Sequence, residues 1–306
     1  MRIGAGIDDR GMTLEEVAGW ARVTADAGLS GFWLGELGAW DPLTALAVAA
    51  RDAPGIELGT SVTVTYPRHP LTLAGQALTA RAATGNRLVL GVGPSHALLI
   101  EGQYGYAYDR PARHVREYLA ALVPLLRGEE VAYTGETLRA DGAVIAPGVT
   151  APPLLLAALG PVMLRLAGEH ADGTVLAWAG PAAIEAHVVP SITRAAAAAG
   201  RAAPRVQAMP PVMVTDDPDG ARTRIAEEFG MAATMPSYRA ILDRGGAEGV
   251  TDVVAVGDEA AVERELRRYA DAGATDVTAM LVGEPDEQRR TLEVLGGLTG
   301  TGGALT

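Results

Sequence analysis

Asn86-Arg-Leu-Val-Leu-Gly-Val-Gly-Pro-Ser-His96 is the stretch that decides the fold. Leu88 to Leu90 is a short apolar run of the kind that forms a strand buried on both faces. It empties into Gly91-Val-Gly93-Pro94-Ser95-His96. Glycine lets another group come close to the backbone. A serine and a histidine then stand at the carboxyl end of a strand, where parallel barrels and open sheets carry their chemistry.

Working outward, strand and helix alternate almost from end to end. Ile3 to Ile7, Phe32 to Leu34 and Ile56 to Thr65 read as strands before this one. Thr13 and Glu16 form a capping box for a helix that stops at Gly28. Pro42 to Arg51 and Leu71 to Ala83 are further helices. After His96 the pattern predicts a loop over Glu101 to Tyr108, a helix over Pro111 to Arg127, and a small hairpin over Glu130 to Ile145. The hairpin's turns are expected at Thr134-Gly135-Glu136 and Asp141-Gly142. Four more strands follow, Pro153 to Ala157, Thr174 to Trp178, Val206 to Val214 and Asp276 to Val282, and the last helix is Glu287 to Leu295.

Eight such units imply a parallel sheet with right-handed crossovers. In 306 residues with no linker, they fit a closed (β/α)8 TIM barrel better than an open sheet. The expectation is one α/β domain over 1–298, an insertion at about 101–146 after the fourth strand, and a flexible tail over 299–306.

Composition narrows the chemistry. There is no cysteine, and all 25 basic residues are arginine. That excludes disulfides, thiolate catalysis, lysine Schiff bases and the usual P-loop lysine. The net charge of −12 argues against nucleic-acid and anionic-membrane partners. No apolar run reaches the ~18–20 residues of a membrane span. Without cysteine or an export signal, the expected location is the cytoplasm, and the expected partner is a small-molecule substrate. No His, Asp and Glu cluster at ligand spacing, so no metal site is expected.

Several constellations carry more than one reading. Gly4-Ala-Gly6 lacks the third glycine and the immediate helix of a dinucleotide fingerprint. Gly93-Pro-Ser95-His96-Ala97 resembles a nucleophile elbow, which would make Ser95 a nucleophile. No histidine occurs late in the chain, where that fold keeps its base. In the competing reading, Gly91 and Gly93 admit a flat ligand that Ser95 and His96 contact. Ala158-Leu159-Gly160-Pro161 is strand, turn and helix start; it is either an anion site or a plain turn. Ser61 caps a strand end or binds a ligand. Trp40 is pocket wall or core, Glu36 is a catalytic or a solvated carboxylate, and Asp8 is a candidate to face the pocket. His69 and His114 read as polar residues flanking helices.

Taken together and in order, Leu58-Gly-Thr-Ser61-Val62, Arg68-His69-Pro70, Asn86 to His96, Tyr108-Asp-Arg-Pro111 and Ala158-Leu-Gly160-Pro161 resemble the luciferase-like monooxygenase superfamily. Gly91-Val-Gly-Pro-Ser-His96 and Ala158-Leu-Gly-Pro-Val-Met-Leu-Arg165 are most similar to its deazaflavin branch, which uses coenzyme F420. The resemblance covers nearly the whole chain. It implies a bacterial luciferase-like barrel with the cofactor ring over its mouth. It also implies a non-prolyl cis peptide at Ser61–Val62 beneath the ring, and the cofactor phosphate at Gly160 and Pro161. Relatives that oxidise sugar phosphates carry histidine at the tip of the second strand and glutamate after the fourth-strand glycines. Here Glu36 and His96 stand in those places, with tryptophan kept at Trp40. The implied function is hydride transfer between the deazaflavin C5 and a small organic substrate, with His96, Glu36 and Trp40 as catalytic residues. FMN with O2 is the alternative, and a homodimer is a further expectation from the relatives.

Overall fold

In the computed structural model, residues 1–300 are described, and eight parallel strands close into a barrel. They are β1 (Arg2–Ile7), β2 (Gly31–Leu34), β3 (Glu57–Thr60), β4 (Leu88–Gly93), β5 (Leu154–Ala157), β6 (Gly173–Ala177), β7 (Arg205–Met209) and β8 (Asp276–Leu281). Each pairs with the next, and Arg2↔Asp276 to Gly6↔Met280 closes β8 onto β1. Pro211–Val214 continues β7 along β8 and carries an extra short strand, Ala255–Gly257.

Side chains alternate across each strand, so the barrel has two cores. Ile3, Ala5 and Ile7 of β1 face the helices in the large outer core. Trp33, Val89, Leu155 and Val175 form the inner one, with Val62 and Met209 packed on them. Trp33 fills the lower barrel because its neighbours are glycines. A Cβ on Gly4 would meet Gly31 O at 2.8 Å, and one on Gly59 would overlap the indole itself. Below the indole, Arg205 lies 6.0 Å from the ring centroid. It joins Arg2, Glu57 and Asp276 in an ion-pair network that closes the base.

The third strand differs from the uninterrupted run over Ile56 to Thr65. It breaks after Thr60 and resumes as Thr63–Val64 against Val92 and Gly93. The peptide bond at the break, Ser61–Val62, is cis. The segment read as a loop over Glu101 to Tyr108 is helical from Ala97 to Tyr104. Its sequence, Ala-Leu-Leu-Ile-Glu-Gly-Gln-Tyr, has no one-sided apolar stripe to announce a helix. In the hairpin, Val131–Thr134 pairs with Arg139–Gly142, so Asp141-Gly142 is strand rather than turn. The helix Pro111–Leu126 has Pro70–Ala83 and Pro161–His170 as neighbours in the outer ring. The last helix, Pro285–Gly300, takes in Thr299 and Gly300 of the expected tail. The rest of that tail, 301–306, lies outside the described residues. No described helix is long and apolar enough to cross a membrane.

Candidate active site

Strand alternation puts Ala157, Ala177, Met209 and Met280 one step above the inner core, at the carboxyl end of the barrel. All four are part-exposed. Val62 joins them from the break in β3. A Cβ on Gly93 would lie 2.9 Å from Val62 Cγ2 and 2.9 Å from Ala157 Cβ, and one on Gly91 3.1 Å from Val62 Cγ1. Gly91 first makes room for the Thr60 carbonyl, whose oxygen would lie 2.0 Å from a Cβ there, and Gly93 makes room for Val62 and Ala157, rather than for a ligand directly. The part-exposed side chain above these glycines is Val62 itself. The result is a shallow apolar floor.

Aromatic pairs wall the floor. Beyond β4, Ser95 holds φ +60° and turns the chain into His96, whose ring meets Tyr238 edge-on at 4.6 Å. Tyr108 Oη donates to Ser95 O at 2.7 Å and stacks on Tyr66 at 5.3 Å. Tyr66 stacks on His114 at 4.0 Å, and His114 Nε2 is 3.0 Å from Thr65 Oγ1. This chain of contacts ties the segment after Val62 to the segment holding His96. On the far side, Trp178 packs against Phe229 at 5.6 Å. Pro94 is part-exposed at the end of β4.

Burial governs protonation here. It pushes the His96 imidazole below its ordinary value and His114 down to about 4, against the pull of Glu117. It pushes Tyr66 and Tyr238 up, and Tyr108 further. At neutral pH these rings are uncharged.

The other expected residues separate. Glu36 is bound on all sides: both carboxylate oxygens accept from Arg68 at 2.7 Å, and Oε2 accepts the Val64 N–H at 2.8 Å. Arg68 also bonds Asp41 at 2.8 Å. Glu36 thus anchors the strand segment after Val62, with both of its oxygens engaged within the protein. Trp40 stands 40% exposed on the rim and ties its loop to the first through Nε1 donating to Met12 O at 3.0 Å. Asp8 is chelated by Arg10. The buried acid of that loop is Asp9, 2% exposed with Oδ1 unpartnered. No histidine bonds the Ser95 hydroxyl among the described residues, so the elbow lacks a base. Ser61 is part-exposed beside Val62.

The helix after β5 starts at Gly160 with no side-chain cap and Pro161 at its first position. The first intrahelical bond is Leu164 N–H to Gly160 O, which leaves the Val162 and Met163 amides without a helical acceptor. A Cβ on Gly160 would meet nothing within 4 Å, so the turn faces open space. Behind it, His187 Nε2 donates to Leu159 O at 2.9 Å, and Ala158 is buried, its carbonyl 3.3 Å from Thr174 Oγ1. Open amides at a helix start suit a phosphate. Among the described residues, no three His, Asp or Glu side chains gather to hold a metal.

Sequence reasoning missed Tyr66, Tyr108, Tyr238 and Trp178, and set His114 aside as a helix-flanking residue. The only available signal was Tyr108 in a recurring motif.

A family model described as luciferase-like monooxygenase matches residues 1–301. This chain belongs to that family. Among its curated relatives is 5,10-methylenetetrahydromethanopterin reductase from Methanolobus tindarius, 28% identical over 76% of this chain and 72% of the relative. The same-named protein of Archaeoglobus fulgidus is 28% identical over 77% and 71%. Among solved structures, the coenzyme F420-dependent tetrahydromethanopterin reductase of Methanopyrus kandleri superposes with a TM-score of 0.80 at 23% identity, covering 97% and 98% of the two chains. An FMN complex of a type II Baeyer–Villiger monooxygenase from Pseudomonas putida gives 0.76 at 17%, covering 97% of each. The luciferase-like fold and an oxidoreductase using a deazaflavin or flavin are the common ground of these relatives. The floor, walls and uncapped helix of this barrel fit such a ring and its phosphate.

Proposed function

We propose that this protein is a coenzyme F420-dependent oxidoreductase. It transfers a hydride between the deazaflavin and a small organic substrate, by reduction of an activated C=C or C=N or by the reverse oxidation. The observation that carries the reading is the pairing of Val62, seated over Gly91 and Gly93, with the open helix start at Gly160. One supports a flat ring and the other receives a phosphate. The likeness to methylenetetrahydromethanopterin reductases, together with the solved tetrahydromethanopterin reductase described as coenzyme F420-dependent, favours the deazaflavin over FMN.

Bound there, the deazaflavin supplies a hydride at its C5. The protein's residues do the rest. Val62, Ala157, Ala177 and Met209 support the ring, with Ser61, Pro94 and Ser95 at its edge. Ala158, Leu159, Gly160 and Pro161 form the phosphate turn. The walls exclude water and hold the substrate near the ring. His96 handles the proton. Its depressed pKa makes it a ready base at neutral pH for an oxidation, and an acid for a reduction only as the pH falls. Glu36, held by Arg68, orients the chain beneath the ring.

Anaerobic turnover with F420 tests this. Substrate-dependent F420 absorbance change without oxygen is the expected result. Turnover that requires both FMN and O2 would overturn it.

A further inference from the structure

We infer that the mouth of this barrel takes a neutral, planar, apolar molecule and discriminates against anions. The inference deepens the proposed function, since it concerns the substrate side of the same site.

The charges around the mouth argue first. Arg10 is spent on Asp8, and Arg68 on Glu36 and Asp41. Arg110 and Arg113 both go to Glu136. Arg239, next to Tyr238, bonds Asp243 and the carbonyls of Ala247 and Glu248. The acids are not matched in this way. Glu228 lies beside Asp8 and Arg10, and burial pushes its carboxyl up despite the arginine, whose hydrogen bonds go to Asp8. Asp109 lies beside Tyr66. No arginine bonds either of them among the described residues. An anion entering here would lose its water and find no arginine left unpaired beside it among the described residues, which is costly.

The surface argues next. Val62, Met209 and Met280 on the floor are apolar, and the walls are rings held uncharged. Large apolar side chains are also exposed on segments that follow the carboxyl ends of the strands. Leu37 after β2 is 50% exposed, Leu98 after β4 is 66% exposed, and Met231 beyond Phe229 is 68% exposed. Edge-on and stacked ring pairs favour a flat guest that extends them. A polyhydroxylated guest would leave hydroxyls unpaired against such a surface. The cofactor phosphate does not conflict with this, because it goes to the helix start at Gly160.

Three ligands with one ring system separate the possibilities: 2-naphthol, 2-naphthoate and 2-naphthyl phosphate. Their equilibrium binding is measured calorimetrically on the protein loaded with oxidised F420, with F420 affinity titrated separately. The expected result is 2-naphthol binding at least ~10-fold tighter than either anion. Leu98→Glu should weaken 2-naphthol several-fold (~1 kcal/mol or less) and leave F420 affinity unchanged. An anion binding as tightly as 2-naphthol, or 2-naphthol not binding, overturns the inference. If F420 fails to bind, the cofactor reading falls. The naphthyl series on the unloaded protein then still decides the inference by the same ranking.

Discussion

Val62 occupies the space that a side chain on Gly93 would need, with its Cγ2 2.9 Å from the position of that missing Cβ. Gly93→Ala therefore overpacks the floor, and should cost ~1–3 kcal/mol of stability. Val62→Ala removes one of the two obstructions and leaves Ala157 Cβ, also 2.9 Å away, so the relief is partial. Urea unfolding of both single variants and the double variant should show the two changes compensating each other, with a coupling on the order of 1 kcal/mol. Strict additivity would mean that Val62 does not rest on this glycine.

His96 meets Tyr238 edge-on and is held below the ordinary histidine value by burial. For reduction, the proton-donating form is the imidazolium. kcat should therefore fall as pH rises through a value below 6.5. In the oxidative direction the neutral ring is active, and the same limb should run the other way. His96→Ala should lower kcat by ~10²–10⁴ and abolish the limb. A pH profile unchanged in the variant would remove His96 from proton transfer.

Gly160 begins its helix without a side-chain cap, at φ −87° and ψ 161°. Aspartate suits that conformation and would bond the open amides. Gly160→Asp should stabilise the helix by a few tenths of a kcal/mol, roughly 0.2–0.5, while its charge repels a phosphate from the same place. Thermal unfolding should rise slightly as cofactor affinity falls ~10-fold or more. Unchanged cofactor affinity would place the phosphate elsewhere.

His114 is 8% exposed, and its pKa is pushed from 6.5 to about 4, chiefly by burial. The unfolded chain therefore takes up this proton before the folded one does. The contribution is intact above pH 6.5 and is lost as pH falls toward 4, amounting to on the order of 2–3 kcal/mol. His114→Gln should flatten this part of the stability profile. Denaturant midpoints measured across that range check it, and an equally steep loss in the variant would contradict it.

The barrel was legible because each strand–helix unit carries its own punctuation. Thr13 and Glu16 do form the capping box, and His69 does sit at the start of its helix. The cis bond at Ser61–Val62 is present, but only the family resemblance pointed to it; nothing local in Thr-Ser-Val-Thr distinguishes it. Glu36 stood where a catalytic carboxylate was expected. Its neutralising partner, Arg68, lies 32 residues along the chain, beyond the reach of local pattern. The same distance problem hid the walls. Tyr66 meets His114, and His96 meets Tyr238, only because separate loops converge at one end of the barrel. Gly91 and Gly93 give room for a close approach, but the nearest guests belong to the same chain: the Thr60 carbonyl at Gly91, and Val62 with Ala157 at Gly93.

The central claim is a deazaflavin across the mouth of this barrel. An equilibrium titration of the purified protein with F420 and with FMN, followed by cofactor fluorescence, tests it most directly. One saturable F420 site per chain is expected, binding ~10-fold or more tighter than FMN. Saturation by FMN that F420 does not displace would contradict it.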